Sequence, residues 1–247
     1  MLFLVNCMVL FVTLVAARGC NLVTNSTCTS GAHIIVARGS LEPQGPGIIG
    51  VIAQHISSRI PNSDLSALEY PAIYDPYKPS QIEGVRALTE VVKQYSARCP
   101  RTKMILLGFS QGAHVIADVM CGASSVGFPA TNPQPLNITD KIAAIVLMGD
   151  PSTTKGQAFH VGSSKGDGVS QQQISPAKMT IVDSNRQIFP PNKPNGCHYV
   201  SGKTVSFCDA GDPFCEAGGH DLSTHMRYVS AYGQMAADFS VSMFHLA

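Results

Sequence analysis

The sequence lacks any block of like charge. Of its 247 residues 13% are charged, and 17 Lys and Arg stand against 16 Asp and Glu, which gives a formal net charge of +1. A nucleic-acid-binding face, or an attachment to an anionic membrane, needs a concentration of positive charge that this composition does not supply. We therefore expect neither partner.

Metal-binding spacing is also missing. No C-x-x-C pair and no Cys/His cluster has the spacing of a zinc site, and the nearest approach, Cys197 beside His198, is an isolated pair. No internal repeat is visible. The sequence thus predicts no metal and no other cofactor, and its length and 45% hydrophobic residues suit one compact domain, which we expect to be a monomer.

The first 17 residues are apolar and end in small side chains. This pattern favours a signal peptide cleaved after Ala17 over a retained membrane anchor. Sequons at Asn25 and Asn137 fit glycosylation on a secretory route. Of the eight cysteines, Cys7 leaves with the signal peptide, and an oxidising compartment would leave one of the other seven unpaired. We expect a secreted protein without membrane attachment.

The remaining chain alternates apolar β-branched runs with helical patterns. Strands are predicted at 33–37, 65–72, 103–109, 141–150 and 178–184, and helices at 47–60, 80–99, 112–122 and 226–244. Ser80, with Glu83 three residues later, predicts a capping box that begins the second helix. The Gly-, Ser- and Gln-rich stretch 151–176 is interpreted as a surface excursion. Strands separated by such helices imply a single-domain, three-layer α/β/α sandwich with a central parallel sheet.

One serine lies between two glycines at a predicted strand-to-helix turn. The segment LLGFSQGAHV (106–115) contains G-x-S-x-G around Ser110. In an α/β sheet this motif forms a sharp turn that exposes a nucleophilic serine and directs the next amide, here that of Gln111, toward a developing oxyanion. Ser110 is therefore the candidate nucleophile.

A serine nucleophile needs a histidine base and an orienting carboxylate, which follow it in this fold in the order Ser, acid, His. The acid candidates are Asp150, Asp183, Asp209, Asp212 and Asp221. We favour Asp212 because it lies in CDAGDPFC, where a bridge between the two flanking cysteines would fix its direction. Asp150, at the end of a strand, remains an alternative.

His225 is the predicted base because it lies just before the final helix. His220 is nearby in sequence, whereas His245 lies in the last residues, where helix ends fray. His114 is expected to pack or to face solvent. The sequence indicates no partner for the other four histidines, which are His33, His55, His160 and His198.

Several motifs in this order resemble the fungal cutinase and acetylxylan esterase family, the fifth carbohydrate esterase family. They are ARGSLEPQG, YPA, CPRTKMILLGFSQGA, MGDP and CDAGDPFC, followed ten residues later by His225. The resemblance spans residues 28–240 as one catalytic domain. It implies a Ser110, Asp212 and His225 triad, an oxyanion hole of Ser40 and Gln111, and disulfides Cys28–Cys99, Cys121–Cys197 and Cys208–Cys215, with Cys20 left over.

The substrate is the more open question. The loop before the base, EAGGHDLSTH, is small and polar, and Tyr74 and Tyr77 suit stacking on sugar rings. Together with DPFC and YPA, these features favour deacetylation of acetylxylan, a cell-wall polysaccharide, over hydrolysis of cutin, a polyester.

Two functions from other classes are disfavoured by the sequence. GPGIIG (45–50) matches a dinucleotide-binding pattern but follows its strand at too great a distance and contains Pro46. An inactive wall-binding or host-interaction protein on the same fold is disfavoured by the complete set of Ser, Asp and His.

Overall fold

The structure is a computed structural model that describes residues 28–122, 128–154, 156–168 and 197–247. The predicted signal peptide, Cys20, the sequon at Asn25 and the predicted strand 178–184 with Asp183 lie outside these residues. They stay predictions.

A parallel sheet of six strands runs through the described part of the chain. Its strands are β1 (Ala32–Ala37), β2 (Asp64–Ala67), β3 (Lys103–Phe109), β4 (Ile142–Met148), β5 (His160–Val161) and β6 (Thr204–Phe207). Their spatial order is β2-β1-β3-β4-β6-β5, and each neighbouring pair is parallel. The carboxyl ends of all the strands therefore meet at one edge, where open α/β sheets carry their sites.

Helices cover both faces of the sheet. They are α1 (Gly50–Arg59), α2 (Tyr77–Arg98), α3 (Gln111–Cys121), α4 (Leu136–Thr139), α5 (Leu222–Met226) and α6 (Tyr228–Leu246), with a short 3-10 helix at Ser201–Lys203. Helices α2 and α3 pack together on one face, and α1 and α6 pack together on the other. The predicted single-domain α/β sandwich is confirmed.

The central strands of the sheet are buried on both faces, whereas the edge strands β2 and β5 are only half-buried. Strand β3 is apolar from Met104 to Leu107 for this reason. Met104 and Leu106 pack into the cluster under α2 and α3, whereas Ile105 and Leu107 pack into the cluster under α1 and α6. Alternate residues of a strand point to opposite faces, so a strand covered on both sides needs an apolar residue at every position.

The predicted start of the second helix was wrong. Helix α2 begins at Tyr77 and takes Pro79 into its first turn, where a residue without an N–H is tolerated. Ser80 is buried inside the helix and caps nothing. Its Oγ accepts a hydrogen bond from the N–H of Ile73 at 2.8 Å and donates one to Oε1 of Gln111 at 2.9 Å.

The predicted surface excursion was wrong for residues 151–153 and 160–161, whereas Gly156, Ala158 and Lys165 are exposed as predicted. Ser152 and Thr153 are fully buried beside Asp150, and His160–Val161 extends the sheet as β5. Residues 169–176 lie outside the described ranges. Beside β4 the sheet carries Thr204–Phe207, a strand that the sequence analysis did not predict.

Three disulfides join the cysteines in the pairs that the resemblance implies, Cys28–Cys99, Cys121–Cys197 and Cys208–Cys215. The first two close loops of 71 and 76 residues, and the third closes a loop of 7. Within the described ranges, none of the helices combines the length and the apolar character that crossing a membrane requires.

Candidate active site

Ser110 lies on a strained turn between β3 and α3. Its φ is 52° and its ψ is −117°, a backbone conformation that residues with a Cβ rarely adopt. A nucleophile elbow holds its serine in such a conformation, because the sharp turn lifts the hydroxyl above the carboxyl edge of the sheet. The structure therefore gives Ser110 the geometry that the motif predicts.

The glycines on either side make this turn possible. A Cβ on Gly112 would overlap the backbone carbonyl of Ala37, and a Cβ on Gly108 would lie 2.7 Å from backbone atoms of Ala113. Neither position has room for a side chain. The two glycines let the start of α3 approach both β3 and β1.

The predicted base and acid are in contact. Nδ1 of His225 lies 2.8 Å from Oδ2 of Asp212, and both side chains are buried. Because a carboxylate only accepts hydrogen bonds, Nδ1 carries a proton in this pair and Nε2 is left to act as an acceptor. The rings of Phe109 and Phe214 pack on the imidazole, at centroid distances of 4.9 and 4.5 Å.

Three groups besides His225 donate hydrogen bonds to Asp212. Its Oδ1 accepts from the N–H of Phe214 at 2.7 Å and of Cys215 at 3.1 Å, and its Oδ2 accepts from the hydroxyl of Tyr228 at 2.8 Å. Burial by itself raises the pKa of Asp212, but the hydrogen bond and charge of His225, with the other donors, hold that pKa below its usual value. The carboxylate stays ionised beside the base.

The loop after β1 carries the other predicted oxyanion group, Ser40. The Glu42 carboxylate accepts from the N–H of Gly39 at 2.6 Å and of Ile48 at 2.7 Å. The buried Arg38 donates to the carbonyls of Glu42 and Tyr70. These contacts fix the backbone on either side of Ser40.

Gln111 follows Ser110 directly and opens α3. Its side chain is fully buried: Nε2 donates to the carbonyl of Ile73 at 3.0 Å, and Oε1 accepts from Ser80. The side chain is thus used to fix the turn. Its backbone N–H belongs to the first turn of the helix, where donors lack an intrahelical partner.

Ser40, Ser110 and His225 line one cavity of about 480 Å³. Around it, Leu41 is 79% exposed, Leu222 57% and Met226 52%. The small, polar composition of the loop before the base therefore did not reveal the apolar side chains that surround the cavity. Leu222 belongs to the loop that is polar in composition, and the fold turns this leucine toward the cavity.

Of the two tyrosines proposed to stack on sugar, one remains a candidate. Tyr74 is half-buried and lines the cavity, with its ring 6.3 Å from that of Phe214 in an edge arrangement. Tyr77 is buried, and its hydroxyl lies 2.8 Å from Nδ1 of His114. Tyr77 also lines the cavity, but it is only 4% exposed and its ring packs on the His114 ring, so little of it is available to a sugar ring.

The alternative acid serves another purpose. The Asp150 carboxylate accepts from the N–H and the hydroxyl of Ser152, at 2.8 and 2.7 Å, and thus caps its own turn. Burial raises the pKa of Asp150. Of the two environments expected for His114, the structure shows the packed one, whereas His220 and His245 are exposed.

The glycine-rich loop 45–50 does not form a phosphate cradle. The N–H of Ile48 is directed at the protein's own Glu42 carboxylate, and a Cβ on Gly50 would meet the ring of Pro46 at 2.7 Å. A carboxylate in this position repels a phosphate. The structure of this loop is therefore unsuited to binding a dinucleotide.

Three residues that shape the site were not identified from sequence as contributors. Arg38 and Glu42 lie two residues before and after Ser40, so their position beside the predicted oxyanion loop could have identified them. Nothing in the sequence identifies Tyr228, since a tyrosine three residues after the base is also typical of an ordinary amphipathic helix. Among the described residues, no three His, Cys, Asp or Glu side chains converge to hold a metal.

The parallel sheet with a strained serine at its carboxyl edge defines the class of α/β hydrolases. The Cutinase family model matches residues 27–244, and the chain belongs to this family. Cutinase 11 of Verticillium dahliae is 28% identical over 237 residues, which cover 92% of this chain and 72% of that protein. Acetylxylan esterase 2 of Talaromyces purpureogenus is 28% identical over 217 residues, or 84% of each chain.

The structure is also similar to the solved catalytic core domain of acetyl xylan esterase from Trichoderma reesei. The two share a TM-score of 0.72 at 25% identity, covering 88% of this chain and 100% of that one. These relatives are named as esterases of two kinds. The protein is accordingly a carboxylic ester hydrolase.

Proposed function

We propose that the protein is a secreted serine esterase that removes acetyl groups from acetylxylan through Ser110, His225 and Asp212. The observation that carries this proposal is the hydrogen bond from His225 to Asp212 at the wall of the cavity that Ser110 also lines. A serine on a strained turn, with an oriented base in the same cavity, is the arrangement that acyl transfer needs.

The reaction proceeds in two halves. Oγ of Ser110 attacks the acetyl carbonyl while its proton passes to Nε2 of His225, and the oxyanion is stabilised by Gln111 N–H and Ser40. Collapse breaks the bond to the sugar oxygen, which takes the proton from His225 and leaves acetyl-Ser110. Water then attacks this ester with the same base, and acetate and free Ser110 result. Asp212 stabilises the imidazolium formed in each half.

Two observations support a polysaccharide ester as substrate. Acetylxylan esterases are among the relatives by sequence and by structure. Tyr74, at the cavity wall, presents an aromatic ring of the kind that packs against a sugar.

A second candidate is the hydrolysis of cutin or other aliphatic esters by the same triad. The exposed side chains of Leu41, Leu222 and Met226 favour it, since each methylene that an acyl chain buried on them would contribute about 0.8 kcal/mol. The relationship to cutinase 11 supports it as well.

A side-by-side assay separates the two candidates. The purified protein is incubated with acetylated xylan and with cutin, and acetate and hydroxy fatty acids are measured. Deacetylation predicts acetate release with few fatty acids, and a decline in kcat/KM from p-nitrophenyl acetate or butyrate to longer chains. A preference for octanoate, with cutin degraded and xylan untouched, would favour the cutinase alternative.

A variant sharpens this assay. Leu222→Ser removes apolar surface at the cavity, whereas Leu136→Ser, on the distant helix α4, removes an equally exposed leucine as the control. The exposed side chains of Leu41, Leu222 and Met226 are here called the apolar rim. If this rim receives acyl chains, Leu222→Ser lowers kcat/KM for octanoate several-fold and spares acetate. If the rim is unused, both variants behave alike.

Secretion and glycosylation belong to the same proposal. Three disulfides suit an oxidising compartment, and Asn137 is exposed on α4. Protein recovered from culture medium should begin after Ala17, and glycosidase treatment should lower its mass. An intact leader on the recovered protein would contradict the proposed route.

A further inference from the structure

A second set of serine, histidine and aspartate lies outside the active-site cavity. Strands β1 and β2 pair with His33 opposite Asp64 and Ile35 opposite Ser66. Alternate residues of a strand share a face, and so do partners on neighbouring strands. His33, Asp64 and Ser66 therefore project from the same face at the edge of the sheet.

Their side chains form a connected chain of hydrogen bonds. Nδ1 of His33 lies 2.8 Å from Oδ1 of Asp64, and Nε2 lies 3.3 Å from Oγ of Ser66. Because the Asp64 carboxylate only accepts, the proton of the imidazole lies on Nδ1 and Nε2 accepts from the serine hydroxyl. This is the proton arrangement that activates a serine nucleophile.

The surroundings hold His33 in place as a neutral base. The ring of Tyr95 stacks on it at a centroid distance of 3.8 Å and an angle of 7°. Burial lowers the pKa of His33, and the charge of Arg98 lowers that pKa further, against the opposing hydrogen bond and charge of Asp64. The imidazole is thus unprotonated, and able to accept a proton, at neutral pH.

The set opens into a cavity of about 590 Å³ between β2 and α2, here called the edge pocket. Ser66 is half-buried at its wall, and the Asp64 side chain is 39% exposed. None of the residues that line this pocket lines the active-site cavity. The Arg98 guanidinium lies over the Tyr95 ring, 5.5 Å from its centroid, and so places a positive charge beside the histidine.

We propose that Ser66 is a second, slower nucleophile, acylated by small activated esters that enter the edge pocket, with His33 as base and Asp64 as the orienting acid. Oγ of Ser66 bonds to the ester carbonyl carbon and its proton passes to Nε2 of His33. The carbonyl bond to the leaving oxygen then breaks, and the leaving alcohol takes that proton. Water hydrolyses acyl-Ser66 by the same route and releases the acid.

The reaction at Ser66 is slower because its backbone is that of a regular strand, without the turn that exposes Ser110 and supplies amide donors. The positive charges that line the edge pocket are those of Arg86 and Arg98, and a charge on a long side chain replaces the oriented amide donors of the active site. The proposal does not depend on the function assigned to Ser110.

The test uses the full chain with Ser110→Ala, which removes the faster nucleophile. This protein is treated with a fluorophosphonate probe, and the adducts are located by peptide mapping. We expect an adduct on Ser66 that forms at least about tenfold faster than any on Ser63, whose hydroxyl is bound to the carbonyl of Ile60. Adding Asp64→Asn should slow labelling of Ser66 by about tenfold or more, and adding Ser66→Ala should abolish it.

Labelling of Ser66 no faster than of Ser63, or unchanged by Asp64→Asn, would overturn the proposal. The hydrogen bonds would then serve only to tie strand β2 to β1. Asp64 is partly exposed, so its replacement by Asn tests the orientation of His33 with little risk to folding, and unfolding temperatures check this. Labelling of Ser110 in the unmodified protein reports separately on the active site.

Discussion

The active-site cavity and the edge pocket contain the same three residue types with the same internal distance. Nδ1 of the histidine lies 2.8 Å from the aspartate oxygen in both His225–Asp212 and His33–Asp64. The serines differ: Ser110 has a φ of 52° on a turn, whereas Ser66 is paired within a regular strand. A hydrogen-bonded acid and base are therefore not what separates a fast site from a slow one.

The two regions also differ in what surrounds the acid. Asp212 lies in the loop closed by Cys208–Cys215, is fully buried and accepts from four groups, two of them amides of that loop. The Asp64 side chain is 39% exposed. The active site further has the loop of Ser40 beside its serine. We therefore expect the turn, the amide donors and the rigid acid to account for most of the difference in rate between the two proposed sites.

The largest expected effect comes from removing the first serine. Ser110→Ala should lower hydrolysis of p-nitrophenyl acetate by about a million-fold, as loss of the nucleophile does in other serine hydrolases. Ser58→Ala, on the surface of α1, is the matched control and should keep full activity. Substantial activity in the purified Ser110 variant would remove the proposed triad.

The next effect concerns the buried acid. Asp212→Asn should lower kcat by about ten-thousand-fold, since an amide favours the wrong tautomer of His225. Asp238→Asn, an exposed aspartate on α6, makes the same change of charge and should leave kcat unaltered. If the two variants have similar rates, Asp212 is not the orienting acid.

The Tyr228 hydroxyl allows the orientation of Asp212 to be disturbed while its carboxylate is kept. Tyr228→Phe removes the hydroxyl that donates to Oδ2 of Asp212, and we expect kcat to fall about tenfold with KM unchanged, the usual scale for a hydrogen bond to a charged group. Tyr232→Phe is the control, because its hydroxyl donates to Asp209 instead. Equal kcat values for the two variants would show that the Tyr228 hydroxyl does not help to orient Asp212.

Removing different disulfides should affect the stability and the activity of the protein to different extents. Replacing the pair Cys28–Cys99 by serine opens a loop of 71 residues and should cost about 4 kcal/mol of unfolding free energy, against about 2 for the 7-residue loop of Cys208–Cys215. Activity should show the reverse order, falling several-fold only when the loop of Asp212 is released. Denaturant titrations and initial rates measure the two quantities.

The smallest effect is on the response to acid. Since the pKa of Asp212 is lower in the folded state, its ionised form stabilises the protein above the unfolded-state value of about 3.9, and this contribution is lost as the pH falls through the folded pKa. The difference in Tm between the unmodified protein and Asp212→Asn should therefore shrink by a few degrees between about pH 5 and pH 2. A difference in Tm that stays constant over this pH range would contradict the lowered pKa of Asp212.

Continuous apolar runs made much of the fold predictable. Strands β1, β3 and β4 are buried on both faces, so their sequences identify them, and Gly122 ends α3 as expected with a φ of 81°. The short β6 escaped prediction because four residues give too little periodicity. Ser80 was misplaced as a cap because its partner, Gln111, lies on another helix.

The site was predictable where its residues belong to local motifs, as with Ser110 and the loop of Asp212. The apolar rim was not, because Leu41 and Leu222 reach the same cavity from loops far apart in sequence. The edge pocket was missed for the same reason. The sequence shows His33 without a partner, and only the register of β1 against β2 brings Asp64 and Ser66 beside it.

Phosphonylation of the unmodified protein tests whether Ser110 is the nucleophile of the esterase reaction. The protein is treated with a fluorophosphonate for increasing times, and remaining esterase activity, intact mass and modified peptides are followed together. We expect activity to fall in proportion to one adduct per chain, located on Ser110, before Ser66 is labelled. Loss of activity without modification of Ser110, or full modification of Ser110 with activity retained, would contradict this expectation.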